Sequence, residues 1–232
     1  MGGQACVFYG AAQVSKDVDF LILAGEENFS RLFKALEKLQ AKRIAVPKFD
    51  PEILARGHAV HFRCQAPGVQ GLRIDLMTKL RDLPDFELLW ERCTVVGDDS
   101  GTEFHLLSVP DLVQAKKTQR SKDWPVIEAL VSIHFQENCD APTAEWIAFW
   151  LNDARSPELL IDLATRFPAE ARELENSRPL LSLAISGHVP ALREALDAEV
   201  RAEQEIDRKY WEPLKREMEA FRRAEREGGQ TG

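Results

Sequence analysis

Two aspartates near the start of the chain stand on either side of one apolar residue. In "DVDFLIL", Asp17 and Asp19 flank Val18, and the apolar run over 18–23 predicts a strand that is buried on both faces. Because successive side chains of a strand point to opposite faces, the two carboxylates share one face. Two converging carboxylates suit Mg²⁺, which prefers hard oxygen ligands and commonly also binds phosphate oxygens of a substrate.

A third carboxylate lies in another strand-like segment. Asp75 stands in the middle of "LRIDLM" (72–77), where a buried charge is costly unless a metal ion or a lysine pairs with it. Asp17, Asp19 and Asp75 are therefore candidate metal ligands. The alternative interpretation is that they are ordinary strand-end or loop carboxylates held in salt bridges.

Two glycines precede the first aspartate. Gly2 and Gly3 lead into a small apolar segment, and glycines at a strand-to-helix junction allow backbone amides to approach a phosphate. A glycine pair is weak evidence by itself. Together with the spaced aspartates and the later strand aspartate, it forms a constellation that indicates phosphate chemistry.

One local basic cluster stands out in "QAKKTQRSKDW". Lys116 and Arg120 are four residues apart and share one face of a predicted helix, whereas Lys117 lies about 100° round the helix axis. The cluster is a candidate phosphate-binding pocket in an acidic chain. The alternative is an ordinary solvated helix face.

The elements that must position these residues alternate between strand and helix in the first two thirds of the chain, which indicates an α/β or α+β fold. From Pro110 onward the pattern is helical, and the run over about 198–227 predicts a long charged helix with a thin apolar stripe. We therefore predict a first domain over 1–135 and a helical C-terminal region over 136–232. The other predicted elements are a helix over 28–40 and strands over 58–64, 72–77 and 102–109. The turn-like "QAPGVQG" between the first two of these strands predicts a hairpin or adjacent strands.

Composition argues against several classes of function. The formal net charge of −8 argues against extended binding to nucleic acid, and four scattered cysteines without a CxxC pair indicate neither a zinc cluster nor a disulfide framework. No apolar run approaches the roughly 18 residues of a membrane span, and no basic-then-apolar leader is present. We therefore expect a cytoplasmic protein that does not enter the membrane.

The constellation resembles the nucleotidyltransferase superfamily, whose members share the palm of DNA polymerase beta. The family signature is an apolar residue, a G[GS] pair, a D-x-[DE] pair about a dozen residues later and a third carboxylate on a later strand. Small prokaryotic nucleotidyltransferase-like proteins, including the abortive-infection toxin type, are a closer likeness over roughly residues 2–135, because their "GG-A…YG…S-D-D" opening precedes a helical "K…R-x-KD" element. The matching residues are Gly2, Gly3, Tyr9, Gly10, Ser15, Asp17, Asp19, Asp75, Lys116 or Lys117, Arg120, Lys122 and Asp123.

The resemblance implies a palm with a mixed sheet that transfers a nucleoside monophosphate from a nucleoside triphosphate to a hydroxyl acceptor. It implies that Asp17, Asp19 and Asp75 are catalytic and hold two Mg²⁺ ions. The groups that would bind the triphosphate are Gly2, Gly3, Ser15, Lys116, Lys117 and Arg120. The acceptor is left open between a small molecule, a protein side chain and an RNA end.

Two other functions are left open. The family pattern places an apolar strand before the glycines, where this chain has only Met1. A palm without that strand would bind a nucleotide or a partner protein without turnover, for example in a toxin–antitoxin or defence pair. The third interpretation is an α/β scaffold whose aspartates form salt bridges.

Overall fold

The computed structural model describes residues 1–228. Strands and helices alternate along the first half of the chain, and only helices follow within these residues. The strands are β1 (Asp17–Leu21), β2 (Lys42–Arg43), β3 (Val60–Arg63), β4 (Arg73–Met77), β5 (Thr94–Gly97) and β6 (Glu103–Leu106). The helices are α1 (Gly2–Phe8), α2 (Glu26–Lys38), α3 (Pro51–Ala55), α4 (Phe86–Glu91), α5 (Val109–Lys116), α6 (Trp124–Asn138), α7 (Ala144–Asp153), α8 (Pro157–Arg166), α9 (Pro168–Leu174), α10 (Leu181–Ile185) and α11 (Val189–Gly228). The fold is thus mixed α/β with a helical C-terminal region.

Most of the predicted elements are confirmed with small changes at their ends. The predicted helix over 28–40 is α2, and the predicted long charged helix is α11, which begins earlier than expected. The short strands β2 and β5 were not predicted. β2 has only two residues and β5 only four, which is too short for a clear alternation of apolar and polar residues.

The main sheet has four strands in the order β1–β4–β3–β2. β1 runs parallel to β4, whereas β3 is antiparallel to both β4 and β2, so the sheet is mixed. Residues that stand opposite each other on neighbouring strands share a face of the sheet. One face, which we call the polar face, therefore carries Asp17, Asp19, Lys42, His61, Arg63, Arg73 and Asp75.

The opposite face of this sheet forms the hydrophobic core. Val60 and Leu76 are almost fully buried there, and Leu36 of α2 packs against them. The alternation of apolar and polar residues on β3 and β4 explains this division, because a period of two places every second side chain on the same face. The buried core residues are Leu36, Leu54, Val60, Phe62, Cys64, Ile74 and Leu76.

The expectation that the first strand is buried on both faces is wrong. β1 lies at the edge of the sheet, and Phe20 remains 45% exposed. A continuous apolar run predicts a strand, but it does not distinguish a central strand from an edge strand, which depends on pairing with distant segments. Asp17 and Asp19 consequently stand on a strand that solvent reaches.

The chain divides into two compact units. Unit 1 consists of Met1–Phe8, Ala12–Ala115 and the chain from Lys209 onward, and unit 2 consists of Tyr9–Ala11 and Lys116–Arg208. The predicted boundary at residue 135 differs from this division. Residues 229–232 of the predicted C-terminal region lie outside the described residues. Within residues 1–228, no helix is both long enough and apolar enough to cross a membrane.

The packing of α6 and of the second half of α11 explains which unit each of them belongs to. Helix α6 packs against α7, which places it in unit 2. The second half of α11 contributes Leu214, which is buried, and Phe221, whose ring lies 5.7 Å from that of His58 in unit 1. This half of α11 thereby packs through the apolar stripe that the sequence predicts.

A buried histidine in unit 2 makes stability depend on pH. His134 of α6 accepts a hydrogen bond from Trp150 Nε1 over 2.9 Å, and burial lowers the pKa of His134 against the opposing charge of Glu137. The unfolded chain therefore binds a proton more readily than the folded chain, so the free energy of unfolding should fall as the pH drops below about 6.5. His134→Gln retains an acceptor for Trp150 and should remove this part of the decline, as measured by urea unfolding at about pH 7.5 and about pH 5.5. Equal declines in the two proteins would contradict the prediction.

Candidate active site

The parallel pairing of β1 with β4 brings the three predicted aspartates to one face. Asp17 stands opposite Arg73, and Asp19 stands opposite Asp75. Neighbouring strands lie about 4.8 Å apart, so Asp19 and Asp75 stand side by side on this face. The sequence predicted that Asp17 and Asp19 share a face, and the register adds Asp75 to that face.

Two basic side chains hold Asp75. Arg73 donates from Nε to Oδ1 over 2.7 Å and from Nη2 to Oδ2 over 2.8 Å, and His61 Nδ1 lies 2.8 Å from Oδ1. Burial alone would raise the pKa of Asp75, which is only 8% exposed, but the hydrogen bonds with His61 and Arg73 outweigh burial and lower the pKa. Asp75 is therefore a stable carboxylate with a fixed orientation.

Arg73 lies in the field of all three aspartates. Its hydrogen bond to Asp75 raises the pKa of Arg73 against the effect of burial, and the charges of Asp75, Asp17 and Asp19 add to that rise. The guanidinium thus supplies the positive charge that a carboxylate in a buried strand needs. The sequence predicted a metal ion or a lysine in this role, and Arg73 was not among the predicted site residues.

His61 and Arg73 could have been found from the sequence. Arg73 is two residues before Asp75 on the same strand and therefore shares its face. His61 stands opposite Asp75 in the antiparallel pair of β3 and β4, which the sequence predicted as adjacent strands. The signal was present in the alternation of the two strands, although the register of the pair was needed to use it.

Gly2 lies against the carboxylate of Asp19, and Gly3 lies against Ser15. A Cβ atom on Gly2 would stand 1.9 Å from Asp19 Oδ2, and a Cβ atom on Gly3 would stand 2.4 Å from Ser15 Oγ. Only residues without a side chain allow this approach. The expectation of a strand-to-helix junction differs from the structure, in which both glycines belong to α1 itself.

Ser15 fixes the loop that leads into β1. Its hydroxyl donates a hydrogen bond to the backbone oxygen of Asp17 over 2.9 Å, and its own backbone oxygen accepts one from Gln4 Nε2 over 3.3 Å. The backbone nitrogen of Met1 donates to the backbone oxygen of Asp19 over 3.0 Å. These bonds tie α1 to β1 and set the position of the two aspartates.

The predicted metal site fits the structure in part. Asp17 and Asp19 are partly exposed on one face, which suits a divalent cation that also binds phosphate oxygens. Arg73 and His61 use three of the roughly four lone-pair positions of the Asp75 carboxylate, so Asp75 has little capacity left for a metal ion while Arg73 stays in place. Among residues 1–228, no group of three His, Cys, Asp or Glu side chains is arranged to hold a metal ion. The donor set therefore fits a site with two carboxylates.

The predicted basic cluster belongs to unit 2 and forms ion pairs there. Lys116 Nζ lies 3.6 Å from Asp123, and Arg120 Nε lies 2.8 Å from the same carboxylate. Lys117 Nζ lies 2.8 Å from Asp153. The side chains of Lys116 and Lys117 are only 12% and 14% exposed, so the alternative of a solvated helix face does not describe these two lysines.

The polar face thus combines two partly exposed carboxylates, a fixed Asp75–Arg73–His61 cluster and a glycine pair that permits close approach of the backbone. Such an arrangement can hold a cation and an anionic ligand side by side. Comparison with known proteins gave no match to any protein-family model and no significant match to any curated protein.

Proposed function

We propose that the chain is an Mg²⁺-dependent nucleotidyltransferase. The four-stranded sheet of β1, β2, β3 and β4 forms its palm, and the polar face is its active site. The observation that carries the proposal is the register of β1 against β4, which sets Asp19 beside Asp75 while the backbone of Gly2 lies against the Asp19 carboxylate. All the residues that we assign to this site belong to unit 1.

Each residue has a distinct role in the proposed reaction. Asp17 and Asp19 hold the metal, which when bound neutralises charge on the phosphates and orients them. Gly2 and Gly3 leave room for the side chains of Asp19 and Ser15, so they let these two residues take the positions where they would meet the metal and the triphosphate. Arg73 places positive charge beside the β- and γ-phosphates, where charge grows as pyrophosphate leaves.

The transfer itself requires one bond to form and one to break. The acceptor oxygen bonds to the α-phosphorus, the bond from that phosphorus to the oxygen bridging to the β-phosphate breaks, and the acceptor proton is released to water. The lowered pKa of Asp75 makes it a weak base, so its role is to hold Arg73 in place. The acceptor is a small molecule, a protein side chain or an RNA end.

A second candidate function is nucleotide binding without turnover. The two hydrogen bonds from Arg73 to Asp75 favour it, because they occupy the carboxylate that the family pattern assigns to the metal. In this candidate Asp17 and Asp19 still hold a metal–nucleotide complex, but the two-carboxylate site does not activate an acceptor oxygen. Binding without pyrophosphate release distinguishes this candidate from the enzyme.

The experiment measures binding and pyrophosphate release for each nucleoside triphosphate with Mg²⁺, in the presence of RNA, protein and small-molecule hydroxyl acceptors. The variant is Asp17→Asn with Asp19→Asn, and the matched control is Glu26→Gln with Glu27→Gln, which removes the same charge from the first turn of α2 in the same unit. We expect the aspartate variant to lose turnover by at least about a thousandfold, since loss of metal ligands removes the main electrostatic stabilisation. The control should keep wild-type rates.

The outcomes separate the candidates. Release that depends on both aspartates supports the enzyme, and metal-dependent binding without release supports the second candidate. If the wild-type protein binds no nucleoside triphosphate, both candidates are wrong and the aspartates are structural.

A further inference from the structure

Three cationic residues stand in a row across the polar face. Lys42 of β2 is opposite Arg63 of β3, and Arg63 is opposite Arg73 of β4. Arg73 is in turn opposite Asp17 of β1, so the row ends at the proposed metal site. Neighbouring strands are about 4.8 Å apart, and the three cations therefore span roughly 10 Å.

The outer two members of the row are exposed and lack partners within the described chain. Lys42 and Arg63 both lie at exposed positions. Within residues 1–228, neither side chain makes an ion pair. By contrast, Arg43, which is next to Lys42 but on the other face, pairs with Glu225 of α11.

This arrangement costs stability. Like charges directly opposite each other on neighbouring strands repel. The chain as a whole has a formal net charge of −8, so two unpaired cations beside a third are not a product of its overall composition. An anion bound along the row would offset this repulsion, because it would be attracted by Lys42 and Arg63 at the same time.

We propose that Lys42, Arg63 and Arg73 bind the triphosphate of the nucleotide, with the γ-phosphate toward Arg63 and Lys42 and the α-phosphate next to the metal that Asp17 and Asp19 would hold. This inference rests on the proposed function, and it assigns the triphosphate to cations of the sheet. It also explains why the row ends beside the two aspartates, where the reacting phosphate would lie.

Arg73 can take part without releasing Asp75. A guanidinium carries five N–H donors, and Arg73 directs its Nε and one Nη2 hydrogen to the carboxylate of Asp75. Its Nη1 group is not used in those two bonds. Nη2 also lies 3.1 Å from His61 Nδ1, so Asp75 and His61 together hold Nε and Nη2, and Nη1 is the group that can donate to a phosphate.

The test measures binding of inorganic tripolyphosphate, a nucleoside triphosphate, the corresponding nucleoside monophosphate and a single-stranded oligonucleotide. The variant is Lys42→Gln with Arg63→Gln, and Lys42→Arg with Arg63→Lys retains the charges. The matched control is Arg43→Gln, which removes one charge from the same strand on the opposite face. Circular dichroism checks that each variant is folded.

We expect the double glutamine variant to bind tripolyphosphate and the nucleoside triphosphate at least roughly tenfold more weakly, and the monophosphate with unchanged affinity. The charge-retaining variant and Arg43→Gln should bind within about twofold of wild type. The loss should shrink at high salt, because exposed charges are screened.

Three results would overturn the inference. The first is that the wild-type protein binds no tripolyphosphate, and the second is that the double glutamine variant binds it as tightly as wild type does. The third is that the row is needed only for binding of the oligonucleotide. The last result would assign the row to a nucleic-acid strand.

Failure of this inference differs from failure of the proposed function. If pyrophosphate release depends on Asp17 and Asp19 but not on Lys42 and Arg63, only the assignment of the triphosphate is wrong. If tripolyphosphate binding depends on the row and no nucleotide is turned over, only the proposed enzyme activity is wrong.

Discussion

Replacing Gly2 with alanine is expected to reduce metal-dependent nucleotide turnover by at least about a hundredfold, because a misplaced ligand removes much of the preorganised electrostatic stabilisation. The new Cβ atom would stand 1.9 Å from Oδ2 and 2.5 Å from Cγ of Asp19, so the carboxylate must leave its position. Gly2 also has φ of +69°, a conformation that costs an alanine roughly 1–2 kcal/mol. The clash moves the carboxylate that stands beside Asp75, and the backbone strain falls on the start of α1.

Gly25→Ala is the matched control for this prediction. It adds the same methyl group in unit 1, and no atom lies within 4 Å of the position of its Cβ. Turnover is measured with Mg²⁺, and metal affinity is measured with Mn²⁺ in place of Mg²⁺. We expect wild-type values of both for this control and loss of both for Gly2→Ala. Normal Mn²⁺ binding by folded Gly2→Ala protein would show that the position of Asp19 is not important for the metal.

Replacing Arg178 with methionine is expected to lower the free energy of unfolding by about 3–5 kcal/mol. Arg178 is only 5% exposed, and it donates to the backbone oxygens of Leu151 and Ala154 over 2.7 and 3.0 Å. It also binds both carboxylate oxygens of Glu199, over 3.0 and 2.7 Å. A methionine fills a similar volume but leaves two buried carbonyl groups and part of a carboxylate without donors.

Arg155 limits this loss without preventing it. Its Nη1 donates to Glu199 over 2.7 Å, so the carboxylate keeps one cationic partner. Burial and, to a smaller extent, the adjacent positive charge of Arg178 lower the pKa of Arg155. The removal of Arg178 takes that charge away from Arg155, and the expected cost therefore comes mainly from the carbonyls at the end of α7.

Arg193→Met is the control for the stability prediction. Arg193 pairs with Glu158 over 3.2 Å, but the two side chains are 60% and 67% exposed. Pairs of this kind contribute at most about 1 kcal/mol, so urea unfolding should show little change. Equal losses for Arg178→Met and Arg193→Met would contradict the role that we give to the buried network.

The first carboxylate pair and the elements around it were predictable from local spacing. Asp17 and Asp19 share a face because the period of a strand is two, and this required no knowledge of the rest of the chain. The apolar spacing of 28–40 likewise predicted α2, which covers the core face of the sheet. Ser15 and the glycine pair were singled out from the sequence, and the structure places them beside β1.

Local spacing was insufficient where the environment of a side chain depends on distant segments. The basic run at Lys116, Lys117 and Arg120 looks the same in sequence whether it faces solvent, a ligand or a carboxylate. The tertiary structure pairs it with Asp123 and Asp153. The boundary between the units differs from the predicted one for the same reason, because α11 packs its second half against unit 1.

The sequence by itself determined which residues of each strand face the same way. The tertiary structure decided which strands are neighbours and in what register, and thereby set Asp19 beside Asp75, His61 opposite Asp75 and Arg73 in line with Arg63 and Lys42. The physical reason is that side-chain direction follows from the covalent geometry of the backbone, whereas strand pairing is selected by the burial of the whole core.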